Sequence, residues 1–111
     1  MSTKKKPYFP MFVDLSDKKV LVFGAGTIAK RRIRSLSAFT DHLTVIAPEV
    51  NREPLNMEHD GILTILKKKY QPEDIPGADL VIAATNDHQT NNEIYSVCKS
   101  LGITVNVCSD K

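Results

Sequence analysis

At 111 residues the chain has room for one domain and no second of ordinary size. Its 41% hydrophobic and 25% charged residues are those of a globular protein with a packed core, which sets aside the disordered and fibrous classes. The net charge of +2 rests on Lys4, Lys5 and Lys6, without which the remainder carries −1, so bulk charge gives nucleic-acid binding no support.

No run approaches the roughly 18 apolar residues of a membrane span, and the basic start has no apolar stretch behind it. A cytoplasmic protein with no membrane partner is expected. Cys98 and Cys108 form no C-x-x-C pair and read as small buried hydrophobes. His42, His59 and His88 are scattered, without ligand spacing, and no metal site is expected from them.

Residues 1–7 read as a loose tail, and residues 8–111 as the domain. Met11 to Val13 can form a short strand, followed by a turn at Leu15 to Lys18. Lys19-Val20-Leu21-Val22-Phe23 is continuously apolar after its lysine, as a strand covered on both faces must be. From Thr27 the period becomes helical: Ala29, Ile33 and Leu36 point inward, while Lys30, Arg31 and Arg34 point mostly outward. Leu43 to Ala47 is a second buried strand, ended by Pro48. Prolines 48 and 54 and Gly61 break the next stretch, where a short helix is possible.

Ile62 to Leu66 reads as a strand, and Pro72, Pro76 and Gly77 bracket a loop or single helical turn. Ala78 to Ala84 is a further buried strand with Thr85 to His88 as its exit. Thr90-Asn91-Asn92-Glu93 has capping-box spacing, which predicts a helix whose buried stripe is Ile94, Val97, Cys98 and Leu101. Gly102 suits the left-handed end of that helix, and Ile103 to Val107 is the last strand.

Strands alternating with helical crossovers predict a Rossmann-type, doubly wound, mainly parallel α/β sheet of five strands, helices on both faces and a short extra N-terminal strand. Ligands of such sheets bind beyond the carboxyl ends of the strands, where the loops after Phe23, Ala47, Ala84 and Val107 converge. Gly24-x-Gly26-x-x-Ala29 matches the G-x-G-x-x-G/A dinucleotide fingerprint in the required strand–turn–helix context. Gly24 permits the tight turn, Gly26 lets backbone approach a pyrophosphate, and Ala29 allows close packing of helix on strand. The acid that holds the ribose of NAD is due at the tip of the second strand, but Ala47 stands there. Glu49, two residues later, serves that purpose only if the chain bends back; it reads equally well as a solvated carboxylate.

The sequence resembles the NAD-dependent precorrin-2 dehydrogenases, found alone or as the N-terminal part of siroheme synthases. The resemblance spans Tyr8 to Asp110. It rests on Tyr8-Phe9-Pro10-Met11-Phe12-Val13-Asp14-Leu15, on Gly24 to Arg32, on Val45-Ile46-Ala47-Pro48-Glu49, on Ile82 to Asp87, on Asn91-Asn92 and on Val105-Asn106-Val107. It implies oxidation of precorrin-2 to sirohydrochlorin with NAD as hydride acceptor, and in some relatives iron insertion as well. The expected cofactor residues are Gly24, Gly26, Thr27, Ile28, Ala29, Pro48, Glu49, Thr85, Asn86, Asp87 and Asn106.

Many members carry a presumed catalytic aspartate where this chain has Ser109, with Asp110 one residue later. Asp110 is therefore the candidate base, against the alternative of a solvated C-terminal carboxylate. Members also continue into a dimerisation segment and a helical region that complete the substrate site across a homodimer. A chain of residues 1–111 alone is accordingly expected to bind NAD and to turn over little substrate. The basic face of Lys30, Arg31, Arg32 and Arg34 could pair with the carboxylates of a tetrapyrrole, but an exposed helix face is the preferred reading. The rival function is an NAD-sensing regulatory domain of the potassium-uptake type, which shares the pattern of Ala78 to Thr85 but lacks the Tyr8-to-Leu15 leader. A third reading is an interaction domain with no cofactor.

Overall fold

The computed structural model describes residues 12–50, 61 and 63–108. Five strands form one parallel sheet: β1 (Lys19–Phe23), β2 (His42–Ile46), β3 (Thr64–Leu66), β4 (Leu80–Ala83) and β5 (Thr104–Val107). Their order is β3-β2-β1-β4-β5, so the chain winds outward from β1 on one side and then returns to its other side. The reversal of direction lies between β1 and β4, the switch point at which doubly wound sheets open a crevice. The register pairs Val22 with Val45 on one side and with Ile82 on the other, which brings the ends of β1, β2 and β4 level.

Among the described residues the sheet is joined by two helices, α1 (Thr27–Leu36) and α2 (His88–Leu101), and a short 3-10 turn (Pro72–Asp74). Side chains of a strand alternate between faces, so the apolar run of β1 serves two cores. Val20 and Val22 join Ala29 and Ile33 of α1, Leu43, Val45 and Ile82 in one cluster. Leu21 and Phe23 join Ile75, Val81, Ala83, and Ile94 and Cys98 of α2 in the other. Both cysteines are buried free thiols, as their composition suggested, and burial pushes the Cys98 thiol upward.

The sheet closes at its lower end through polar ties. The Lys19 amide donates to the Asp79 carboxylate at 2.8 Å. The Thr40 hydroxyl donates to the Lys18 carbonyl at 2.7 Å and accepts from the His42 amide at 3.1 Å. Each joins a strand start to a neighbouring loop, which keeps the opposite ends of the strands aligned.

Several expectations are corrected. Phe12 and Val13 are exposed and belong to no strand; Met11 and residues 1–7 lie outside the described residues. Among the described residues Phe12 and Val13 have no strand partner, and apolar character alone does not make a strand. Residues 48–50 are not helical, and the rest of the stretch in which a short helix was allowed, residues 51–60, lies outside the described residues; Ile62 does too, and Leu63 precedes β3, which begins at Thr64. The last helix begins at His88, capped by Asp87 and not by Thr90. An aspartate three residues upstream offers a carboxylate to the first-turn amides, a stronger acceptor than a hydroxyl. Leu101 is 48% exposed, beyond the buried stripe.

Candidate functional site

The carboxyl ends of β1, β2 and β4 and the starts of both helices enclose an open cleft of about 1000 Å³. Its floor and walls include Gly24, Gly26, Thr27 and Ile28 from the glycine turn, Ala47, Pro48 and Glu49 from the β2 exit, and Thr85, Asn86, Asp87 and His88 from the β4 exit. Residues from three separate loops thus meet because the parallel strands end together.

Two glycines of the turn work by different means. Gly24 has φ +112°, outside the range of most side chains, and a Cβ there would overlap the Ala84 carbonyl oxygen, with Ala84 C at 2.7 Å and Thr85 N at 3.0 Å. It is the price-free point at which the β1 turn presses against the β4 exit. Gly26 has an ordinary φ of −79° and caps α1, and a Cβ on it would meet nothing within 4 Å. Its missing side chain leaves room in the cleft, in front of the helix start.

The starts of the two helices differ electrostatically. Asp87 caps α2: its carboxylate accepts from the Gln89 amide at 3.2 Å and from the Thr90 hydroxyl at 2.7 Å. The Thr90 hydroxyl and the Gln89 amide hold the Asp87 carboxyl below the ordinary 3.8. At α1 no side chain caps the helix and no acid stands in its first turn. Its amides and the positive end of its dipole are left facing the cleft, which is the local chemistry of a phosphate cradle.

Asn91, only 2% exposed, is a functional candidate: the sequence marks it in the resemblance, with Asn92, but assigns it no place in the site. Its Oδ1 accepts from the Thr85 amide at 3.1 Å and from the Thr85 hydroxyl at 2.6 Å, while its Nδ2 donates to the Thr85 carbonyl at 3.1 Å. The available signal was a polar residue on the same helical stripe as Ile94 and Cys98. Lys69 and Tyr70 also line the cleft. They arrive there because Ala47 N donates to the Leu66 carbonyl at 3.2 Å and Lys68 N to the Ala47 carbonyl at 3.1 Å, which lays the β3 exit beside that of β2. The Tyr70 ring stands edge-on to Phe23 at 5.3 Å. Its hydroxyl is enclosed without a well-formed partner, and burial, with the nearby Glu93 carboxylate adding to it, pushes the phenol up to about 12.

Of the remaining expected residues, Ala29 is fully buried between α1 and the sheet. Asn106 is not among the residues that line the cleft; it lies with Tyr95, Lys99 and Val107 along a depression on the β5 edge. Ser109 and Asp110 fall outside the described residues. Among the described residues, no group of three or more His, Cys, Asp or Glu could hold a metal ion, and no helix is long and apolar enough to cross a membrane.

Comparison with known proteins agrees with this geometry. A family model described as "Putative NAD(P)-binding" matches residues 11–111. "Probable multifunctional siroheme biosynthesis protein HemA" of Ruminiclostridium josui is 40% identical over 99 residues, covering 89% of this chain and 19% of its own. "Siroheme synthase" of Mannheimia succiniciproducens is 35% identical over 104 residues, covering 94% of this chain and 22% of its own. Among solved structures, "SirC, precorrin-2 dehydrogenase" matches with a TM-score of 0.80 and 34% identity, over 89% of this chain and 48% of SirC. The chain therefore spans about a fifth of these curated relatives and about half of SirC. It belongs to the NAD(P)-binding family that this model defines, as a domain of the kind found in siroheme synthases and precorrin-2 dehydrogenase.

Proposed function

We propose that this chain is the cofactor domain, residues 8–111, of an NAD-dependent precorrin-2 dehydrogenase that oxidises precorrin-2 to sirohydrochlorin. The observation that carries the reading is the start of α1: an uncapped helix terminus behind Gly26, whose absent Cβ opens onto the cleft. A pyrophosphate fits there because backbone amides and the helix dipole favour an anion, and no carboxylate of the first turn competes. The match to SirC in fold and sequence supports the choice of reaction.

NAD, when bound, supplies the hydride acceptor. The protein's part is to place it. Gly24, Gly26, Thr27 and Ile28 hold the pyrophosphate, with Ala29 keeping the helix close to β1. Pro48 and Glu49 bound the adenosine ribose at the β2 exit, and Thr85, Asn86 and Asp87 bound the nicotinamide half at the β4 exit. The substrate proton passes to Asp110, proposed from the sequence resemblance alone, and Asn106 is proposed to approach the ring from the β5 end. The whole protein works as a cytoplasmic homodimer on a tetrapyrrole. The relatives described above are siroheme-pathway proteins, and nothing in them supports the potassium-uptake alternative.

Calorimetric titration of the chain with NAD tests the cofactor role; no binding at millimolar NAD overturns it. Conversion of precorrin-2 to sirohydrochlorin, followed by absorbance, tests the reaction in the protein at the length of SirC. The domain alone is expected to bind NAD with little turnover, and full turnover by residues 1–111 would overturn that division of labour.

A further inference from the structure

We propose that Asn91 is a positioning residue for the nicotinamide half of the dinucleotide, acting through Thr85. The inference rests on the NAD-binding reading above and concerns the same cleft.

Asn91 stands in the first turn of α2, where side chains lean back toward the helix start. That direction brings its amide to the β4 exit, one residue beyond the strand. There it takes both main-chain polar groups of Thr85: the amide donates to Oδ1 at 3.1 Å, and the carbonyl accepts from Nδ2 at 3.1 Å. The side chain thus continues the ladder past the end of the sheet. It also accepts the Thr85 hydroxyl at 2.6 Å, and that hydroxyl in turn accepts from the Asp87 amide at 3.2 Å. One buried amide therefore fixes the backbone and side chain of Thr85 and, through the hydroxyl, the turn to Asp87.

The fixed segment is one wall of a narrow passage. Gly24 presses on Ala84 and Thr85 from the β1 side, so closely that no Cβ fits between them. A dinucleotide whose pyrophosphate lies at the α1 start, and whose adenosine ribose lies over β2, must send its other half across this passage toward β4. The position of Thr85 sets where that half can lie. A plain core residue at 91 would pack α2 equally well but would leave the Thr85 amide and carbonyl without partners at the cleft wall. Asparagine supplies both a donor and an acceptor, which neither leucine nor aspartate does.

The test compares NAD with ADP, which carries the adenosine and pyrophosphate but no nicotinamide riboside. Both are titrated into the 111-residue chain by calorimetry or NMR, for the unaltered sequence, Asn91→Ala and Thr85→Val. Asn91→Ala is expected to weaken NAD at least tenfold while ADP weakens less than threefold, and the Thr85 amide proton loses its protection from exchange. Thr85→Val keeps the two main-chain bonds and is expected to weaken NAD by a smaller factor, which keeps the test decisive if Asn91→Ala does not fold. Equal losses for NAD and ADP in either variant would show a merely structural role and overturn the proposal. So would unchanged NAD affinity in Asn91→Ala. Failure of the unaltered chain to bind either ligand would instead overturn the NAD-binding reading, an outcome distinct from both.

Discussion

Replacing Gly24 by alanine separates folding from binding at the glycine turn. The new methyl would overlap the Ala84 carbonyl oxygen and stand 2.7 Å from its carbon, with backbone on both sides of the contact and no flexible side chain to yield. A φ of +112° adds strain for any residue with a Cβ. Forcing a methyl into packed backbone costs about 1–3 kcal/mol, and holding a non-glycine residue in so sparse a region costs about 1–3 kcal/mol more. A total near 4 kcal/mol is a large part of the roughly 5–15 kcal/mol that stabilises an ordinary domain. With a domain of this size losing about 4–8 °C per kcal/mol, Tm should fall by roughly 15–30 °C. Gly26→Ala is the control: its φ is ordinary and its Cβ meets no atom within 4 Å, so Tm should change by no more than a few degrees. Urea and thermal melts of both variants, with NAD titration of the second, make the comparison. A stable Gly24→Ala with unchanged Tm would refute the argument from close approach, and unaltered NAD affinity in Gly26→Ala would refute the assignment of the space before α1 to a phosphate.

Ile33→Ala empties a fully buried site between α1 and the sheet, and urea denaturation should register a loss of about 2–5 kcal/mol. The lowered Asp87 carboxyl contributes stability that is complete above the ordinary value of 3.8 and is lost as pH falls through the depressed folded value; the gap in Tm between the unaltered chain and Asp87→Asn should therefore shrink below pH 3.8. Tyr70→Phe removes an enclosed hydroxyl without a well-formed partner and should leave Tm unchanged or higher. In the unaltered chain an absorbance titration should show a tyrosine ionising only near pH 12, a signal absent from the variant. Glu49 lines the β2 exit of the cleft, so its carboxylate should disfavour the extra phosphate of NADP; Glu49→Gln should narrow the preference for NAD by about fivefold, on the order of 1 kcal/mol, in parallel titrations.

The centre of the sheet was legible because β1 and β4 are buried on both faces, and such strands announce themselves as unbroken apolar runs. Val20 to Phe23 and Val81 to Ala84 carry that signature, and all of them are buried. Their boundaries were less legible. The expected strand from Ala78 begins only at Leu80, because the Asp79 side chain and amide are engaged with Lys19 before pairing in register starts. The expected cap at Thr90 has the right spacing, but a capping box is a local pattern and cannot show that a carboxylate three residues earlier already serves those amides. In the structure Thr90 is a donor to that carboxylate, inside the first turn, instead of the cap paired with Glu93.

The cleft was only half visible in sequence, and the missing half has a common cause. The glycine turn and the Pro48-Glu49 and Thr85-to-Asp87 loops follow strands whose order could be inferred, whereas Lys69 and Tyr70 enter because β3 lies beside β2, a fact of pairing and not of spacing. Asn91 stands among the marks of the resemblance, but its role was not legible, because a single polar residue in an apolar stripe reads as an imperfection of the pattern. Its three bonds to Thr85 show why the imperfection is kept: the cleft wall needs a donor and an acceptor at one buried point, and no apolar side chain offers them. The two helix starts complete the logic. The α2 terminus is neutralised by its own Asp87 and fixed by Asn91, so it forms a rigid wall; the α1 terminus, left without a cap behind Gly26, is the one with amides to give to a ligand. An anion that bound at α2 in preference to α1 would contradict that division, and Asp87→Ala is the substitution that should create such a competing site.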